Sequence, residues 1–224
     1  MTATVPRGST ILAAIMLLGA ACSSAPGPAG EAAAGAVYRL EAEACNGVEV
    51  ADATAFAAAP DLLVTVAHAF DDVRSFRLLT PDATAAEVAA TVVLLDTERD
   101  VAVLRTDEPV AATLTAATAQ AGAVGRIVTA TESGELRTRR AVIDDVTRVR
   151  VDGAGERLAL ALDADIRPGD SGAPVLDIDG ALIGMVFAAA GEDTAGWAVA
   201  AEELAPLIDR ADTAVDPVTA IGCV

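Results

Sequence analysis

The sequence contains no lysine, and all of its 15 basic residues are arginine. They are outnumbered by 33 Asp and Glu residues, which gives a formal net charge of −18 at pH 7. An acidic chain without a basic run is unsuited to phosphate backbones, so nucleic-acid binding is excluded. Aromatic residues make up only 3% of the chain. Because aliphatic residues still raise the hydrophobic fraction to 53%, the composition is that of a globular protein.

Histidine and cysteine are also scarce, with one His and 3 Cys in the whole chain. A single His excludes metal clusters built on several histidines, and with so few Cys and His residues in all, a structural zinc site is not expected. No cofactor is expected either. The one histidine is His68, and any imidazole chemistry must use it.

The N-terminal segment is typical of export signals. Arg7 precedes an apolar stretch, residues 11–21, that is too short to span a bilayer of about 30 Å. We therefore predict a signal peptide over residues 1–21. Cys22 follows small residues in a context that resembles a bacterial lipoprotein cleavage box, although Gly19 stands where that box usually has Leu. Lipidation of Cys22 and simple cleavage remain alternatives.

Residues 22–36 are rich in Ala, Gly, Ser and Pro, and they predict a flexible linker with nothing to bury. If Cys22 is lipidated, Cys45 and Cys223 remain as a pair in an oxidising compartment, and we predict a disulfide between them. Such a bridge would close a loop of nearly the whole domain, for which the entropy model gives roughly 5 kcal/mol as an upper estimate. The alternative is two unrelated thiols.

Short apolar strands with turn signals dominate the chain from residue 36 onward. Asp179-Gly180 between two apolar runs predicts a hairpin, and residues 109–125 read as the connection between two halves. Only Ala201 to Ala211 has a helical pattern, which Pro206 is expected to interrupt. This pattern favours an all-β fold of barrels or a sandwich over an alternating α/β sheet.

Three places carry candidate chemistry. His68 stands at the end of an apolar strand, where a single His is commonly structural. Asp100 directly precedes an apolar strand and competes with Asp96 and Asp107 as a buried carboxylate. Ser171 lies in a Gly-bracketed loop, whose backbone N–H groups can converge on an oxyanion. The alternative for this loop is an ordinary Gly/Asp/Ser turn.

Together the three residue types supply a nucleophile, a base and an acid that orients the base. An α/β-hydrolase requires Ser before His, which this chain order excludes, and its G-x-S-x-G elbow fails at Ala173. The subtilisin order would use Asp52 or Asp61, but the alternating strands and helices of that fold are absent.

Three segments around these residues resemble trypsin-like serine endopeptidases of the chymotrypsin fold, and most of all the bacterial HtrA-related and actinobacterial periplasmic branch; they are VTVAHAF, DTERDVAVLRTD and IRPGDSGAPVLDIDGALIGMVF. The resemblance spans roughly Cys45 to Cys223. It implies two six-stranded antiparallel Greek-key barrels with a short C-terminal helix. The protease domain would be residues 37–224, with barrels over about 37–115 and 120–210 and a tail over 211–224.

The resemblance also implies roles. His68 would be the general base, Asp100 its orienting partner and Ser171 the nucleophile, while the N–H groups of Gly169 and Ser171 would form the oxyanion hole. Related actinobacterial proteases carry a disulfide from the start to the end of the domain, which fits Cys45 and Cys223.

This chain departs from the family at several points. Ala53-Thr54-Ala55-Phe56 replaces a Gly-Ser-Gly-Phe run, a change expected to touch no catalytic atom. Ala173 replaces the commoner Gly after the serine. Asp170, which in digestive trypsins pairs with a freed N-terminus, needs another partner here. The candidates are Arg137, Arg139 and Arg140.

Substrate selection is less determined by the sequence. Asp165 stands where trypsin-like enzymes place the base of the pocket for the residue preceding the scissile bond, and its alternative role is structural. Ala188, Ala189 and Ala190 are expected along one wall of the pocket, where their small side chains would leave the pocket open. Trp197 is expected in the core or at a pocket rim.

The function predicted is an exported serine endopeptidase, lipid-anchored, periplasmic or secreted. The alternative is a catalytically inactive protease-like binding lipoprotein of the cell envelope. A third reading, a purely structural lipoprotein, would leave the His, Asp and Ser order as coincidence. The expected partner is a protein or peptide substrate. Contact with a membrane is expected only through a lipid at Cys22, and the chain is expected to be a monomer.

Overall fold

The computed structural model describes residues 28–47, 50–82, 84–150, 155–190, 195–214, 216–218 and 223. The predicted signal peptide over residues 1–21 and Cys22 lie outside these residues. Among the described residues, no helix combines the length and the apolar character needed to cross a bilayer.

The fold has two β units followed by one helix, and the all-β prediction is confirmed. The first unit consists of a short helix and seven strands: α1 (Pro28–Ala33), β1 (Val37–Ala44), β2 (Val50–Ala59), β3 (Leu62–Thr65), β4 (Val73–Leu79), β5 (Glu87–Val88), β6 (Ala90–Asp96) and β7 (Val101–Thr106). The second unit consists of six strands and the C-terminal helix: β8 (Val124–Ala130), β9 (Leu136–Arg150), β10 (Glu156–Asp163), β11 (Pro174–Leu176), β12 (Leu182–Ala190), β13 (Ala195–Ala200) and α2 (Ala201–Asp212).

The two units close differently. The second is a closed barrel in the order β10-β13-β12-β11-β8-β9, as expected. The first is a seven-stranded sheet in the order β5-β4-β1-β2-β3-β7-β6, and its edge strands β5 and β6 do not pair with each other. The reason is local, because β5 comprises only Glu87–Val88 and pairs with β4 alone.

Strands β3 and β7 form the centre of the site-bearing part of the first unit. All four residues of Leu62–Thr65 are buried, and Val101 to Leu104 are fully buried as well. Such continuous apolar runs fit strands that are covered on both faces. The pair is antiparallel, with Thr65 opposite Ala102, so the end of β3 lies beside the start of β7.

Helix α2 packs on both units. Its buried residues are Ala201, Leu204, Leu207 and Ala211, which recur at helical spacing on one face. The helix continues through Pro206, so the expected interruption is wrong. A proline inside a helix removes one backbone hydrogen bond, and Pro206 lies on the exposed face, so the buried face that packs on both units is kept. Arg105 of β7 donates from Nη2 to the carbonyl of Ala211 at 2.7 Å, which ties the helix end to the first unit.

The segment predicted as a linker, residues 22–36, is described from residue 28 onward, and there the linker prediction is wrong. It contains α1, and Ala33 and Ala36 are fully buried. Small alanine side chains fit where larger ones would not, which is why composition alone suggested that this segment buries nothing. The predicted disulfide between Cys45 and Cys223 is present and joins positions separated by 178 residues.

Candidate active site

His68 lies on a single 3-10 turn, Ala67–Phe70, that follows β3 almost directly. Its neighbours Ala67, Ala69 and Phe70 are buried, so the turn is anchored in the core while the imidazole points outward. The His68 side chain is 43% exposed. The turn therefore holds the backbone of His68 in place while the imidazole remains accessible from solvent.

Asp100 occupies the turn between β6 and β7 and faces His68 directly. Its Oδ1 accepts the backbone N–H of His68 at 2.9 Å, and its Oδ2 lies 2.8 Å from His68 Nδ1. These two contacts fix both the position and the plane of the imidazole. The hydrogen bond with Asp100 is the main cause that raises the pKa of His68 above its ordinary value, against a smaller lowering by burial.

The other two candidate acids lie elsewhere. Asp96 accepts the N–H of Arg99 at 2.9 Å and pairs with its guanidinium at 3.0 Å, so it is engaged within its own turn. Asp107 is exposed at the end of β7. Of the three carboxylates, Asp100 is therefore the one in contact with His68.

Ser171 lies on the loop between β10 and β11, and its Oγ is 3.2 Å from His68 Nε2. The imidazole thus stands between Asp100 and Ser171, with one ring nitrogen facing each. An acceptor at Nδ1 favours the tautomer that carries the proton there and leaves Nε2 free to accept from a hydroxyl. The structure brings together the three residues that the sequence singled out.

The loop around Ser171 depends on glycine at two positions. Gly169 has φ +89°, and Gly172 has φ +80°. A Cβ at Gly172 would lie 2.0 Å from the carbonyl oxygen of Thr54, so no other residue fits there. Within the described residues, the N–H groups of Gly169 and Ser171 have no protein acceptor. Such a pair of free donors can receive an oxyanion.

Thr54 is a site residue that the sequence did not reveal. Its N–H donates to the carbonyl of Ser171 at 2.8 Å, and its hydroxyl donates to the carbonyl of Gly169 at 2.9 Å. Both contacts are to backbone carbonyl groups, so the segment Ala53 to Phe56 helps to position the loop that carries Ser171. The hydroxyl contact joins positions separated by 115 residues, which no local pattern encodes.

Asp170 is fully buried beside Ser171 and has three donors. Thr129 Oγ1 donates to it at 2.6 Å, the N–H of Arg167 donates at 2.7 Å, and the guanidinium of Arg139 forms an ion pair with it. Of the three arginines considered from the sequence, Arg139 is the one that pairs with Asp170. A fully buried carboxylate needs such a cation and hydrogen bonds, so this pairing fixes the loop that carries Ser171.

Two cavities flank the site. One, of about 620 Å³, is lined by His68, Asp100, Arg157, Phe187, Ala188 and Trp197, among others. The other, of about 760 Å³, lies on the side of Ser171 and Gly169. Trp197 is thus at a pocket wall and half-buried.

The residues proposed for substrate selection are placed as follows. Asp165 is exposed, and Arg167 Nε donates to its carboxylate at 2.7 Å. The same contact lowers the pKa of Asp165. Asp165 lines neither of the two cavities, whereas Ala188 lines the first. Ala189 and Ala190 belong to β12, but their side chains lie outside the described part of the structure.

Comparison with known proteins is consistent with this arrangement. Residues 53–185 match the family profile described as trypsin-like peptidase domain. Serine protease Rv3671c of Mycobacterium tuberculosis is 29% identical over 197 residues, which are 84% of this chain and 49% of that protein. The serine protease MT3772 of another strain of that species matches to the same extent. The chain thus spans about half the length of the curated relatives that it matches.

Solved structures give the same result for the fold. The active form of the Rv3671c protease from M. tuberculosis superposes with a TM-score of 0.78 at 28% identity, covering 88% of this chain and 89% of that one. The HtrA-type protease AlgW, solved with a tripeptide, has a TM-score of 0.72 at 22% identity, covering 81% of this chain and 62% of that one. At that identity the second likeness concerns the fold alone.

Proposed function

The chain belongs to the trypsin-like peptidase family, and from this premise we propose that it is an exported serine endopeptidase. His68, Asp100 and Ser171 form its catalytic triad, and residues 37–224 form its catalytic domain. The observation that carries the proposal is the imidazole of His68 held between two partners, 2.8 Å from Asp100 and 3.2 Å from Ser171. This is hydrogen-bond reach on both sides, which nucleophile activation requires.

Catalysis begins when Ser171 Oγ attacks the carbonyl carbon of the scissile peptide bond and His68 Nε2 takes the hydroxyl proton. The imidazolium that forms is stabilised by Asp100. The carbonyl oxygen becomes an oxyanion and accepts hydrogen bonds from the N–H groups of Gly169 and Ser171. Removing one such donor typically costs about 3–4 kcal/mol in the transition state, so this pair is a large part of the rate enhancement.

The intermediate then collapses. The carbon–nitrogen bond breaks, His68 delivers its proton to the leaving amine, and the acyl group remains as an ester on Ser171. Water attacks this ester with His68 again as base, and the second collapse releases the carboxylic acid and restores the serine hydroxyl. The role of Asp100 is to orient the imidazole and to stabilise the imidazolium.

Export is supported by the disulfide between Cys45 and Cys223, because such bonds persist mainly in oxidising compartments. The signal peptide predicted over residues 1–21 agrees with that assignment, and a lipid at Cys22 would anchor the protein to a membrane. The substrate is a protein or peptide chain, and the enzyme acts as a monomer.

The test is labelling of the full-length chain with a serine-directed fluorophosphonate. Labelling is expected for the wild type and is expected to disappear in Ser171→Ala, whose far-ultraviolet circular dichroism should match the wild type. Ser133, which hydrogen-bonds with Thr131 away from His68, provides the matched control, because Ser133→Ala should label like the wild type. A folded, disulfide-bonded wild-type protein that does not label would contradict the proposal and return the inactive binding protein to consideration.

A further inference from the structure

The turn that carries Asp100, which comprises Thr97 to Asp100 and is here named the acid turn, is held from the opposite unit. The N–H of Gly155 donates to the carbonyl of Glu98 at 2.9 Å. Arg157 Nη1 donates to the carbonyl of Arg99 at 2.6 Å. Two successive carbonyl groups of the acid turn thus accept hydrogen bonds from the start of β10 and the residue directly before it. Strand β10 belongs to the closed barrel.

The second of these contacts acts on the peptide that leads into Asp100. Asp100 has φ +57°, in the left-handed region that few residues other than glycine adopt readily. The angle φ describes rotation between the Arg99–Asp100 peptide plane and the remainder of Asp100. Fixing the carbonyl of Arg99 therefore fixes that plane, and with it the direction in which the Asp100 carboxylate leaves the chain.

Arg157 is itself held rigidly. It is only 1% exposed and is the largest side chain in the fully buried set. Its guanidinium lies 4.7 Å from the ring centroid of Phe187. Phe187 lies where the register between β12 and β13 shifts, and such a bulge re-aims a side chain. A planar guanidinium stacked on a ring has little rotational freedom, so its hydrogen bond to Arg99 is well directed.

Arg157 is deeply buried, yet its guanidinium forms no ion pair within 4.0 Å among the described residues. Its Nε is buried without a hydrogen-bond partner among the described residues. Burial lowers the pKa of Arg157, and the carboxylate of Asp100 is the foremost charge acting in the opposite direction. A buried cation is costly unless nearby anions compensate for it. The buried cation Arg157 lies near the carboxylate of Asp100, the acid of the proposed triad, which partly compensates for the cost of its burial.

We infer that Arg157 is a positioning residue for Asp100. Its hydrogen bond fixes the plane of the Arg99–Asp100 peptide and so keeps the Asp100 carboxylate within hydrogen-bond distance of His68. This inference rests on the proposed function, because it assigns Arg157 a part in the same site. Arg157 touches neither Ser171 nor His68 among the contacts described, so it acts through the acid turn and not on the reacting atoms.

The test uses the fact that His68 is the only histidine of the chain. Histidine-selective ¹⁵N labelling of the full-length protein gives the signals of one imidazole, which report its tautomer and its pKa without any need for activity. The charged groups acting on this ring are Asp100 and, more weakly, Asp71. If Asp100 loses its orientation, the pKa of His68 must fall, because the hydrogen bond that raises it is weakened.

Arg157→Met keeps the apolar stem and removes the donor and the charge. It is expected to lower the pKa of His68 and to lower kcat by about 10- to 100-fold, the size expected of a small misplacement, with KM within about twofold. Arg157→Lys keeps the charge on a shorter side chain without the planar fork, and it should fall between Met and the wild type. Arg148→Met makes the same chemical change at a 62% exposed side chain on β9 and should leave both quantities unchanged.

A folded Arg157→Met protein with a wild-type imidazole pKa and kcat within twofold overturns the inference. A rise in the imidazole pKa also overturns it, because loss of charge alone, without movement of Asp100, gives that sign. If Arg157→Met does not fold, Arg157→Lys decides: a lowered imidazole pKa supports the inference, and an unchanged one refutes it. Failure of the proposed function is separate, since it would appear as a wild type that does not react with the fluorophosphonate.

Discussion

The two β units contribute different parts of the site, and each is held by the other. The open sheet of the first unit supplies His68 and Asp100, and the closed barrel supplies Ser171 and the glycines of its loop. Thr54 of the first unit binds the loop that carries Ser171. Gly155 and Arg157 of the second bind the acid turn. Neither unit alone therefore contains all the residues of the proposed site, and hydrogen bonds across the boundary hold the loop of Ser171 and the acid turn.

The largest effect on kcat is expected from breaking the contact between Asp100 and His68, which lies within the first unit. Asp100→Asn keeps the shape of the side chain but favours the wrong imidazole tautomer, so kcat should fall by about 10⁴-fold. Asp96→Asn is the matched control, because Asp96 bonds to Arg99 and not to His68. Steady-state hydrolysis of a peptide substrate measures both. If Asp96→Asn shows the greater loss, the acid has been assigned to the wrong carboxylate.

A change at the boundary between the units should mainly affect stability. Gly172→Ala places a methyl group against the carbonyl of Thr54 at a position with φ +80°. Backbone strain and overpacking together should lower the free energy of unfolding by about 2–5 kcal/mol. Gly122→Ala is matched in backbone angle, with φ +81° and nothing within 4 Å of the new Cβ.

Because Gly122→Ala carries the strain without the contact, it should lose only about 1–2 kcal/mol. Urea denaturation measures both variants. Equal losses would mean that the fit of Gly172 against Thr54 contributes nothing, and the description of a tight boundary would be incorrect.

The residues of the proposed triad could be singled out from the sequence, whereas the residues that hold them in place could not. His68, Asp100 and Ser171 each lie in a short segment with a distinctive local pattern. Their order along the chain also excludes the α/β-hydrolase arrangement. Thr54 and Arg157 act through single hydrogen bonds to carbonyl groups distant in sequence. A threonine in a strand and an arginine near a turn look the same whether or not they make such bonds.

The same limit applies to the fold. The two six-stranded barrels were implied by the family resemblance, and the first unit is an open seven-stranded sheet instead. The residue pattern itself predicted an all-β fold and the C-terminal helix, because burial on one face or both leaves a periodic pattern in the residues. It did not predict that residues 28–36 pack on the core, since a run of small residues is compatible with both a linker and a close-packed helix.

A smaller effect is expected where the first unit holds the nucleophile loop. Thr54→Val is nearly isosteric but removes the hydroxyl that donates to the carbonyl of Gly169. A neutral hydrogen bond contributes about 0.5–1.5 kcal/mol, so kcat should fall roughly 3- to 10-fold. Thr54→Ser keeps the hydroxyl and should stay close to the wild type. Were the valine and serine variants equally active, the hydroxyl would have no part in shaping the loop.

The smallest effect is expected from a change of pH, which alters the protonation of His68. Asp100 raises the pKa of His68, so kcat/KM should rise with pH through a value above the ordinary 6.5 of histidine, as the base loses its proton. A group whose pKa is raised by folding stabilises the protein fully below its unfolded pKa and loses that contribution as pH rises through the folded value. Activity gained and stability lost should therefore occupy the same pH range.

Asp100→Asn should move both midpoints to lower pH, because it removes the main cause of the raised pKa. Ser171→Ala should leave the midpoint of the stability curve close to the wild-type value, because its hydroxyl is not among the groups that shift the His68 pKa. Denaturation curves at a series of pH values measure this for both variants. A stability midpoint that followed Ser171 and ignored Asp100 would show that the barrel, and not the sheet, sets the protonation of the base.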